Sequence, residues 1–587
     1  MTTTARPVAP LAANPILLGR DLLDVYRRFY DSVYAIGNPG VAAERRALLQ
    51  AGAQISSHVL LEPIPGFESS GHTVADACRE LALHADLANE TAQFVSPLME
   101  GNELYTHQWQ ALRAAHGGSD VVVSGGTGSG KTEAFWLPIL FSLVAESRTW
   151  QPSGTTPARW WETSSTLLPV RAGESGRAPG VRALVVYPMN ALVEDQLVRL
   201  RRALDGEGQL AWLDRHRHGH RFTFGRYTGQ TPSPRNNLKR LYGRMDERAM
   251  AAAAHDQIAG QRERAEGLPT GTLPRHRPYV PRPLGAEQLS RPEMTAFAPD
   301  VLITNFSMLN VMLMRDNEER IFDQTRDWLA ADRDAHCFHL VVDELHSYRG
   351  TAGTEVGLLL RKLLHRIDVQ QSQLIVIGAS ASLGDDDDEI RSYLQEFFGR
   401  KGEGFSLFTG APKVPGVELD PAVDEQTTDV LARVGRDAAA GTSPDPEEAR
   451  ATVEATRLGE RLVAAALTDK RQIVARDHAD LAATLFAGDA DRASEAFVGM
   501  LSTLAAATAL PIRAHLMFRT GGGWWACSDP ECSELKDEHR DSRRVIGKLH
   551  AETRIRCECG ARCLDLLCDA YPVCSKWGQA ARWVIVR

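Results

Sequence analysis

The chain shows two different patterns of hydrophobic positions, one before and one after Asp120. In residues 16–113 apolar side chains recur every three or four positions, which predicts amphipathic helices. After Asp120 short continuous apolar runs alternate with helical patterns. Such runs are typical of parallel strands covered by helices on both faces, so we predict an α/β fold. The five candidate strands lie in DVVVSG, VRALVVYP, DVLITN, FHLVVDE and QLIVIGAS.

Polar segments interrupt this alternation. Residues 148–180 and 206–291 read as insertions that need not pack into the core. Residues 410–450 are acidic and rich in Pro and Ala, which is typical of a mobile linker. A helical pattern then covers about 447–510. We predict a helical N-terminal region (1–100), an α/β lobe (101–400), a linker with a helical insertion (401–510) and a cysteine-rich module (511–587).

Composition and charge narrow the function classes. The 587 residues exceed one hydrophobic core, and no apolar run approaches the ~20 residues of a membrane span. The opening MTTTARPVAPLAANP lacks the apolar centre of a signal peptide, so we expect a cytoplasmic protein without a membrane partner. A net charge of −9 argues against coating nucleic acid by bulk charge. Residues 199–248 nevertheless carry twelve Lys/Arg and five Asp/Glu, which suits either a solvated surface or a nucleic-acid track.

The segment VVVSGGTGSGKTEAFWLP predicts a phosphate site. Gly125-x4-Gly130-Lys131-Thr132 has P-loop spacing, and a chance match in a chain this long has odds of roughly a few per cent. Lys131 would reach the β- and γ-phosphates, and the Thr132 hydroxyl would bind Mg²⁺. Backbone N–H groups and the helix start would hold phosphate oxygens. The expected nucleotide-binding residues are Gln108 with Gly125, Gly126, Thr127, Gly128, Ser129, Gly130, Lys131 and Thr132.

An acidic pair follows the strand in FHLVVDELHSYRG. Asp343 could hold Mg²⁺ through water, and Glu344 could orient and polarise an attacking water. Alone, such a pair is a common solvated turn. With a P-loop upstream it becomes the expected second half of a nucleotide-hydrolysing site.

The order of the motifs resembles that of superfamily 2 DEAD/DEAH-box helicases. Asp343-Glu344-Leu345-His346 matches the box, and LYTHQWQAL resembles the adenine-reading Q motif with Gln108 as its glutamine. YPMNAL (187–192) and ITNFSML (303–309) occupy the places of motifs Ia and Ib. GASAS (378–382) stands where the family has Ser-Ala-Thr. These motif sequences most resemble those of the large bacterial YprA-like group, whose members, as the resemblance implies, carry cysteine zinc modules.

The resemblance implies a RecA-like lobe of an ATP-dependent helicase or translocase, with ATP and Mg²⁺ as cofactors. It implies nucleic acid as the partner, with DNA favoured over RNA. His346 joins Lys131, Asp343 and Glu344 as a catalytic candidate. The implied strand contacts are Asn190, Thr228, Gly229, Thr304 and Asn305, and the implied coupling residues are Ser380, Ala381 and Ser382. Two alternatives stay open: a motor subunit of a restriction-like phage-defence complex, and a non-catalytic ATP-switched module that binds nucleic acid or protein.

Cysteines cluster near the end of the sequence. Seven of nine lie in residues 527–574. Cys527-x4-Cys532 and Cys557-x-Cys559 are two close pairs that can supply four thiolates to one Zn²⁺. A closed thiolate shell favours a structural role, and free thiols are the alternative. The region also resembles the zinc-bearing insertion of the YprA-like group. Three cysteines stay unassigned, as spare thiols or part of a second site: Cys563, Cys568 and Cys574.

The pattern departs from the helicase family after Ser382. A Gln/Gly-Arg motif and a second strand series, which mark the second RecA-like lobe, are not recognisable in the sequence that follows. We therefore expect an N-terminal portion of a split or frame-shifted gene, with impaired ATPase activity in isolation. The expected partners are a separately encoded downstream helicase half or defence-system proteins.

Overall fold

The computed structural model describes most of the chain as two compact units. The first unit joins residues 1–66 with 412–587, and the second covers 67–411. Within the described ranges, no helix combines the length and the hydrophobicity that crossing a membrane requires. The described residues are 14–33, 36–50, 56–99, 102–126, 128–154, 158–164, 167–171, 173–268, 271–348, 350–381, 387–400, 404–415, 420–469, 472–518, 523–569 and 582–586.

The unit at 67–411 is built on an eight-stranded sheet. Every paired neighbour runs parallel, and the spatial order is β4-β3-β5-β2-β6-β7-β1-β8. The predicted α/β class and parallel sheet are confirmed. The strands are β1 (Val121–Ser124), β2 (Ala183–Tyr187), β3 (Phe224–Tyr227), β4 (Glu287–Gln288), β5 (Val301–Asn305), β6 (Phe338–Val342), β7 (Leu374–Ser380) and β8 (Ser406–Thr409).

Continuous apolar strands are explained by a sheet that is covered on both faces. Val121 and Val123 of β1 pack into one core cluster, whereas Val122 packs into a second cluster. Because successive strand side chains alternate between faces, both sides of β1 are buried. The helices of this unit are Val74–Glu80, Ala85–Val95, Thr106–His116, Lys131–Glu146, Trp160–Thr163, Asn190–Leu204, Glu207–His216, Leu238–Glu266, Arg291–Ala296, Phe306–Met312, Glu319–Ala331, Gly350–Arg366 and Asp387–Phe398.

Short 3-10 helices complete this unit. They are Ser96–Met99, Ser147–Thr149, Arg277–Tyr279, Asp316–Glu318, Leu345–Ser347 and Gln371–Gln373.

Both insertions pack into the core, contrary to the expectation from their polar composition. The second contributes β3 and β4, and Phe222 and Phe224 are fully buried. In the first, Trp150 joins the main cluster. Arg177 lies 4.2 Å from the Trp150 ring centroid and donates to Asp300 at 2.9 and 3.0 Å. Buried aromatic residues and ion pairs thus anchor segments whose average composition is polar.

The unit at 1–66 and 412–587 is helical with two small antiparallel sheets. One sheet has the order Arg476–Asp477, Leu60–Pro63, Ile512–His515, and the other the order Leu549–His550, Trp524–Cys527, Cys563–Asp569, Arg582–Val586. The helices are Pro15–Val33, Pro39–Gln50, Glu425–Ala439, Pro446–Thr456, Leu458–Ala465, His478–Leu485 and Ala490–Ala506, with a 3-10 turn at Asp537–His539.

Much of the segment expected to be a mobile linker is folded. The Asp424 carboxylate accepts the Thr427 N–H and caps the helix Glu425–Ala439. Asp445 caps Pro446–Thr456, whose first residue is a proline. Acidic residues and proline are favoured at helix N-termini, so here this composition marks helix starts instead of disorder.

Candidate functional site

Most of the site residues predicted from the sequence lie where parallel strands end. The P-loop follows β1, Asn190 follows β2, Thr228 and Gly229 follow β3, and Thr304 and Asn305 end β5. Asp343 and Glu344 follow β6, and Ser380 ends β7. Because all eight strands run parallel, these ends share the carboxyl edge of the sheet, where ligands of open α/β sheets bind. Thr127 and Ser382 lie outside the described residues.

The P-loop has the backbone conformation of a phosphate cradle. Gly128 and Gly130 have φ values of 86° and 73°, in the left-handed region that glycine adopts without strain. A Cβ on Gly125 would lie 2.7 Å from Ser129 Oγ, so a larger residue there would fill the loop. Lys131 Nζ donates to the carbonyl oxygens of Gly125 and Gly126, the latter at 3.2 Å. The lysine ammonium therefore already lies inside the loop.

Gln108 connects the P-loop to the start of the helix Thr106–His116 through its side-chain amide. Its Nε2 donates to the Gly130 carbonyl oxygen at 3.1 Å, and its Oε1 accepts the Tyr105 N–H at 2.9 Å. His107 Nε2 lies 2.6 Å from the Ser129 carbonyl oxygen. The glutamine side chain is buried, so in this structure it fixes the loop and the preceding helix. The adenine-reading role stays a prediction.

The acidic pair lies beside the P-loop in a strained turn. The pKa of Asp343 is raised to about 6, chiefly by burial and also by the Glu344 charge, while the hydrogen bond from the Glu344 N–H and the Lys131 charge act in the opposite direction. Glu344 has φ 53°, and its N–H donates to Asp343 Oδ1 at 2.8 Å. Left-handed backbone is unfavourable for a residue with a Cβ and is common at functional sites. This turn directs the two consecutive carboxylates into one cavity.

The remaining motif residues connect the acidic turn to the P-loop. His346 Nδ1 lies 3.3 Å from Glu344 Oε2 and 3.3 Å from Ser380 Oγ. The Ser380 carbonyl oxygen accepts the Gly125 N–H at 3.1 Å. A continuous set of contacts therefore links the DELH turn, β7 and the start of the P-loop. Ala381 lines the same cavity.

Among the described residues, three buried polar atoms around this cavity have no hydrogen-bond partner. The cavity measures about 750 Å³ and is lined by the P-loop, the acidic pair, Tyr187 and Gln196. The unpartnered atoms are the Tyr187 hydroxyl, Gln196 Oε1 and Ser129 Oγ. An unsatisfied buried polar atom costs about 1–3 kcal/mol, so a polar ligand with bound water fits this site. The sequence analysis did not name Tyr187 or Gln196 as site residues, although Tyr187 begins the motif Ia segment and Gln196 follows that segment.

Residues 105–223 match the family described as DEAD/DEAH box helicase. The chain carries a DEAD/DEAH-box helicase domain. It is 29% identical over a 622-position alignment to the Druantia protein DruE of Escherichia coli, covering 92% of this chain and 32% of that protein. It is 24% identical over 283 positions to an uncharacterised ATP-dependent helicase of Methanocaldococcus jannaschii, covering 48% of this chain and 26% of the relative. The chain therefore spans a third or less of these relatives' length.

Solved helicase structures align with part of this chain. The crystal structure of the helicase MrfA bound to DNA and AMPPNP aligns with a TM-score of 0.33 and 16% identity. That alignment covers 68% of this chain and 39% of MrfA. The sequence resemblance to superfamily 2 helicases is thus confirmed by the family match and the relatives.

The candidate strand contacts of the helicase domain differ in exposure. Gly229 is exposed, whereas the Thr304 hydroxyl is fully buried and donates to the Tyr227 carbonyl oxygen at 2.7 Å. Asn305 Oδ1 accepts the Met308 N–H at 2.7 Å and caps the following helix. These side chains shape the strand ends. The backbone groups of these residues and the exposed residues next to them are the remaining candidates for phosphate contacts.

Ion pairs neutralise much of the basic stretch at 199–248. Arg199 pairs with Glu133, and Arg201 pairs with Glu287 through both carboxylate oxygens. Further pairs are Arg217–Glu90, Arg221–Asp214 and Arg226–Glu194. The formal excess of cations in the sequence therefore overstates the charge available to a nucleic acid here.

The four predicted zinc ligands come together in the unit at 1–66 and 412–587. The thiols of Cys527, Cys532, Cys557 and Cys559 lie within 4.8 Å of one another. Two Sγ–Sγ distances are 3.5 Å (Cys527–Cys559) and 3.6 Å (Cys532–Cys557). Zn–S bonds of ~2.3 Å in a tetrahedron place sulfurs about 3.8 Å apart, so the cluster fits a zinc ion. A Cβ on Gly547 would lie 2.6 Å from Cys532 Cβ, which explains the glycine there.

Of the three unassigned cysteines, the structure describes the side-chain surroundings of Cys563 alone. Cys563 is buried and lies opposite Cys527 on the neighbouring antiparallel strand, but its thiol is not one of the four that cluster. Cys568 belongs to the same strand as Cys563, and Cys574 lies outside the described residues.

The cysteine-rich module packs against two N-terminal helices within its own unit. Arg544 forms a buried ion pair with Glu44, and Glu44 Oε1 accepts the Leu549 N–H at 3.1 Å. Trp524 Nε1 donates to the Tyr30 hydroxyl at 3.0 Å. Buried polar contacts thus connect residues separated by about 500 positions in the sequence.

Proposed function

We propose that this chain is the first motor lobe of an ATP-dependent nucleic-acid helicase or translocase. The observation that carries the proposal is the placement of the P-loop, the Asp343-Glu344 pair and Ser380 at neighbouring strand ends around one cavity. ATP supplies the free energy of hydrolysis, and Mg²⁺ neutralises phosphate charge. DNA is favoured over RNA by the sequence resemblance.

The proposed roles follow from the positions of the side chains. The P-loop backbone and Lys131 bind phosphates, while Thr132 and Asp343 hold Mg²⁺. Glu344 accepts a proton from the attacking water, and His346 connects that carboxylate to Ser380. Asn190, Thr228, Gly229, Thr304 and Asn305 lie at or just after the ends of β2, β3 and β5, and the backbone at these strand ends is proposed to face the nucleic acid.

The first test replaces Glu344 by glutamine. We expect phosphate release to fall by about 10²–10⁴, because the amide cannot accept the water proton. Mg-ATP affinity should stay within about twofold, since the carboxylate is proposed to act on water and not on the phosphates. Glu355→Gln, an exposed change on the helix Gly350–Arg366, is the matched control. Unchanged hydrolysis in Glu344→Gln, measured with a second RecA-like lobe supplied, contradicts the assignment.

The second test removes the unpartnered hydroxyl of Tyr187. Tyr187 is fully buried, and burial together with the nearby Asp343 charge raises its pKa well above the usual range. We propose that bound Mg-ATP brings a water or an Asp343 oxygen to this hydroxyl. Tyr187→Phe should then weaken Mg-ATP binding by about 3–10-fold, the value of one hydrogen bond.

Thermal unfolding separates this role from a structural one. Without nucleotide, Tyr187→Phe should melt at or above the wild-type temperature, because it removes an unsatisfied buried group. Wild-type Mg-ATP affinity in the variant would show that the hydroxyl has no part in binding.

Strand displacement is proposed only together with a second RecA-like lobe. Among the described residues, the only parallel sheet is the eight-stranded one, and the other two sheets are antiparallel. Superfamily 2 motors close two lobes around ATP, as the resemblance implies. We infer that the lobe at 67–411 binds Mg-ATP and single strands, and that strand displacement needs a second RecA-like lobe that closes on it around ATP.

A motor subunit of a phage-defence complex is the second candidate. The similarity to the Druantia protein DruE, which covers 92% of this chain, is the observation that favours it. Affinity purification from the native host would separate the two candidates. Stoichiometric co-purification of proteins from the adjacent genes favours the complex, and purification of the helicase alone opposes it.

A further inference from the structure

An arginine-lined cleft lies away from the nucleotide cavity in the unit at 67–411. It measures about 780 Å³ and is formed by the long helix Leu238–Glu266, the end of the helix Asn190–Leu204 and the turn Arg277–Tyr279. Its lining contains five arginines: Arg201, Arg202, Arg264, Arg275 and Arg277. Arg202 lies twelve positions after Asn190, about 18 Å along the helix, so the cleft is separate from the strand-end motifs.

Two guanidinium groups converge beside a helix position that has no side chain. A Cβ on Gly260 would lie 3.8 Å from Arg264 Nη1 and 3.9 Å from Arg275 Nη2. Arg275 pairs with Glu263, whereas Arg264 forms no ion pair among the described residues. The Arg264 guanidinium is therefore the cation available to an anion at this open position.

The carboxylates of the cleft are mostly engaged elsewhere. Asp256 accepts the backbone N–H groups of His276 and Arg277 at 2.7 and 3.0 Å. Asp205 Oδ1 accepts the Ala286 N–H at 2.8 Å. Glu207 is the remaining acidic lining residue. Arg202 and Arg264 are thus the cations with the fewest partners in this cleft.

The exposed aromatic ring of Tyr279 lies beside Arg202. Tyr279 is 61% exposed, and its hydroxyl accepts a hydrogen bond from Arg202 Nη2 at 3.4 Å. Proteins that bind single strands combine basic grooves with exposed aromatic rings on which bases stack. The aromatic ring therefore favours a nucleic-acid strand over a free phosphate ion.

We propose that this cleft binds phosphate groups of a single-stranded nucleic acid, with Arg202 and Arg264 as the phosphate contacts and Tyr279 as a stacking platform. The site rests on the proposed function only in taking nucleic acid as the source of the phosphates. It would hold the strand outside the motif track and lengthen the footprint of the lobe.

The test uses an oligothymidylate of about 20 nucleotides, long enough to exceed a single small binding site. In Arg202→Gln/Arg264→Gln, affinity should fall about tenfold. The slope of log K against log[salt] should flatten by about 1.4, or 0.7 per lost phosphate contact. Gly260→Glu, which places a carboxylate between Arg264 and Arg275, should weaken binding similarly. Tyr279→Ala should cost about fivefold or more with an unchanged salt slope, because stacking releases no counterions.

Controls and competing ligands keep the outcomes distinct. Arg262→Gln, on the same helix but paired with Glu266 and absent from the cleft lining, should bind as wild type. Mg-ATP affinity should be unchanged in every variant, so failure of the P-loop assignment and failure of the cleft give different results. Wild-type oligothymidylate affinity and salt slope in both charge variants overturn the proposal. If the charge variants lose affinity for pyrophosphate but not for oligothymidylate, the cleft binds phosphate groups, and the proposal that they belong to a nucleic acid is overturned.

Discussion

Replacing Cys527 by serine is expected to remove zinc from the protein and to unfold the cysteine-rich module (511–587). Wild-type protein should contain about one zinc ion per molecule, and Cys527→Ser less than about a tenth. Structural zinc sites contribute apparent binding free energies of about 10–16 kcal/mol, far more than a small module gains from its own core. Metal analysis after mild dialysis measures the zinc content.

The cysteine that lies outside the cluster supplies the matched control. Cys563 is buried opposite Cys527 but is not among the four clustered thiols, so Cys563→Ser should keep its zinc. Equal zinc loss in both variants would move the ligand assignment toward Cys563. Proteolysis should cut the Cys527→Ser protein first after about residue 510, because the unit at 67–411 has its own core.

Lys131→Ala is expected to abolish measurable ATP binding while leaving the fold intact. The Lys131 ammonium lies within the P-loop against the Gly125 carbonyl oxygen. Truncating one partner of a buried charge pair costs about 2–5 kcal/mol, which corresponds to at least about 30-fold in affinity. A fluorescent ATP titration measures this loss.

An exposed lysine on another helix provides the comparison. Lys362→Ala, on Gly350–Arg366, should bind ATP as wild type does. Circular dichroism and the melting temperature of Lys131→Ala should match the wild type, since this side chain is not in the apolar core. Equal ATP affinity for wild type and Lys131→Ala would remove the P-loop assignment.

Local sequence determined the parts of the site whose geometry is local. The P-loop spacing fixes a glycine-rich turn between a strand and a helix, because only glycine adopts the φ values of Gly128 and Gly130 without strain. The apolar runs determined five strands of the parallel sheet, because a strand buried on both faces has no polar side. The pairing of Cys527-x4-Cys532 with Cys557-x-Cys559 was readable for the same reason, since close spacing limits where thiols can point.

Tertiary structure decided what depends on residues far apart in the chain. The short strands β3 and β4 lie in polar insertions, and pairing with β5 and with each other gives them their conformation. Residues 14–66 form one compact unit with 412–587 through contacts such as Glu44 with Leu549. The spacing of residues along the sequence likewise does not predict the unpartnered Tyr187 hydroxyl or the two arginines beside Gly260. Burial and charge convergence are properties of the folded arrangement, and no local pattern of residue types encodes them.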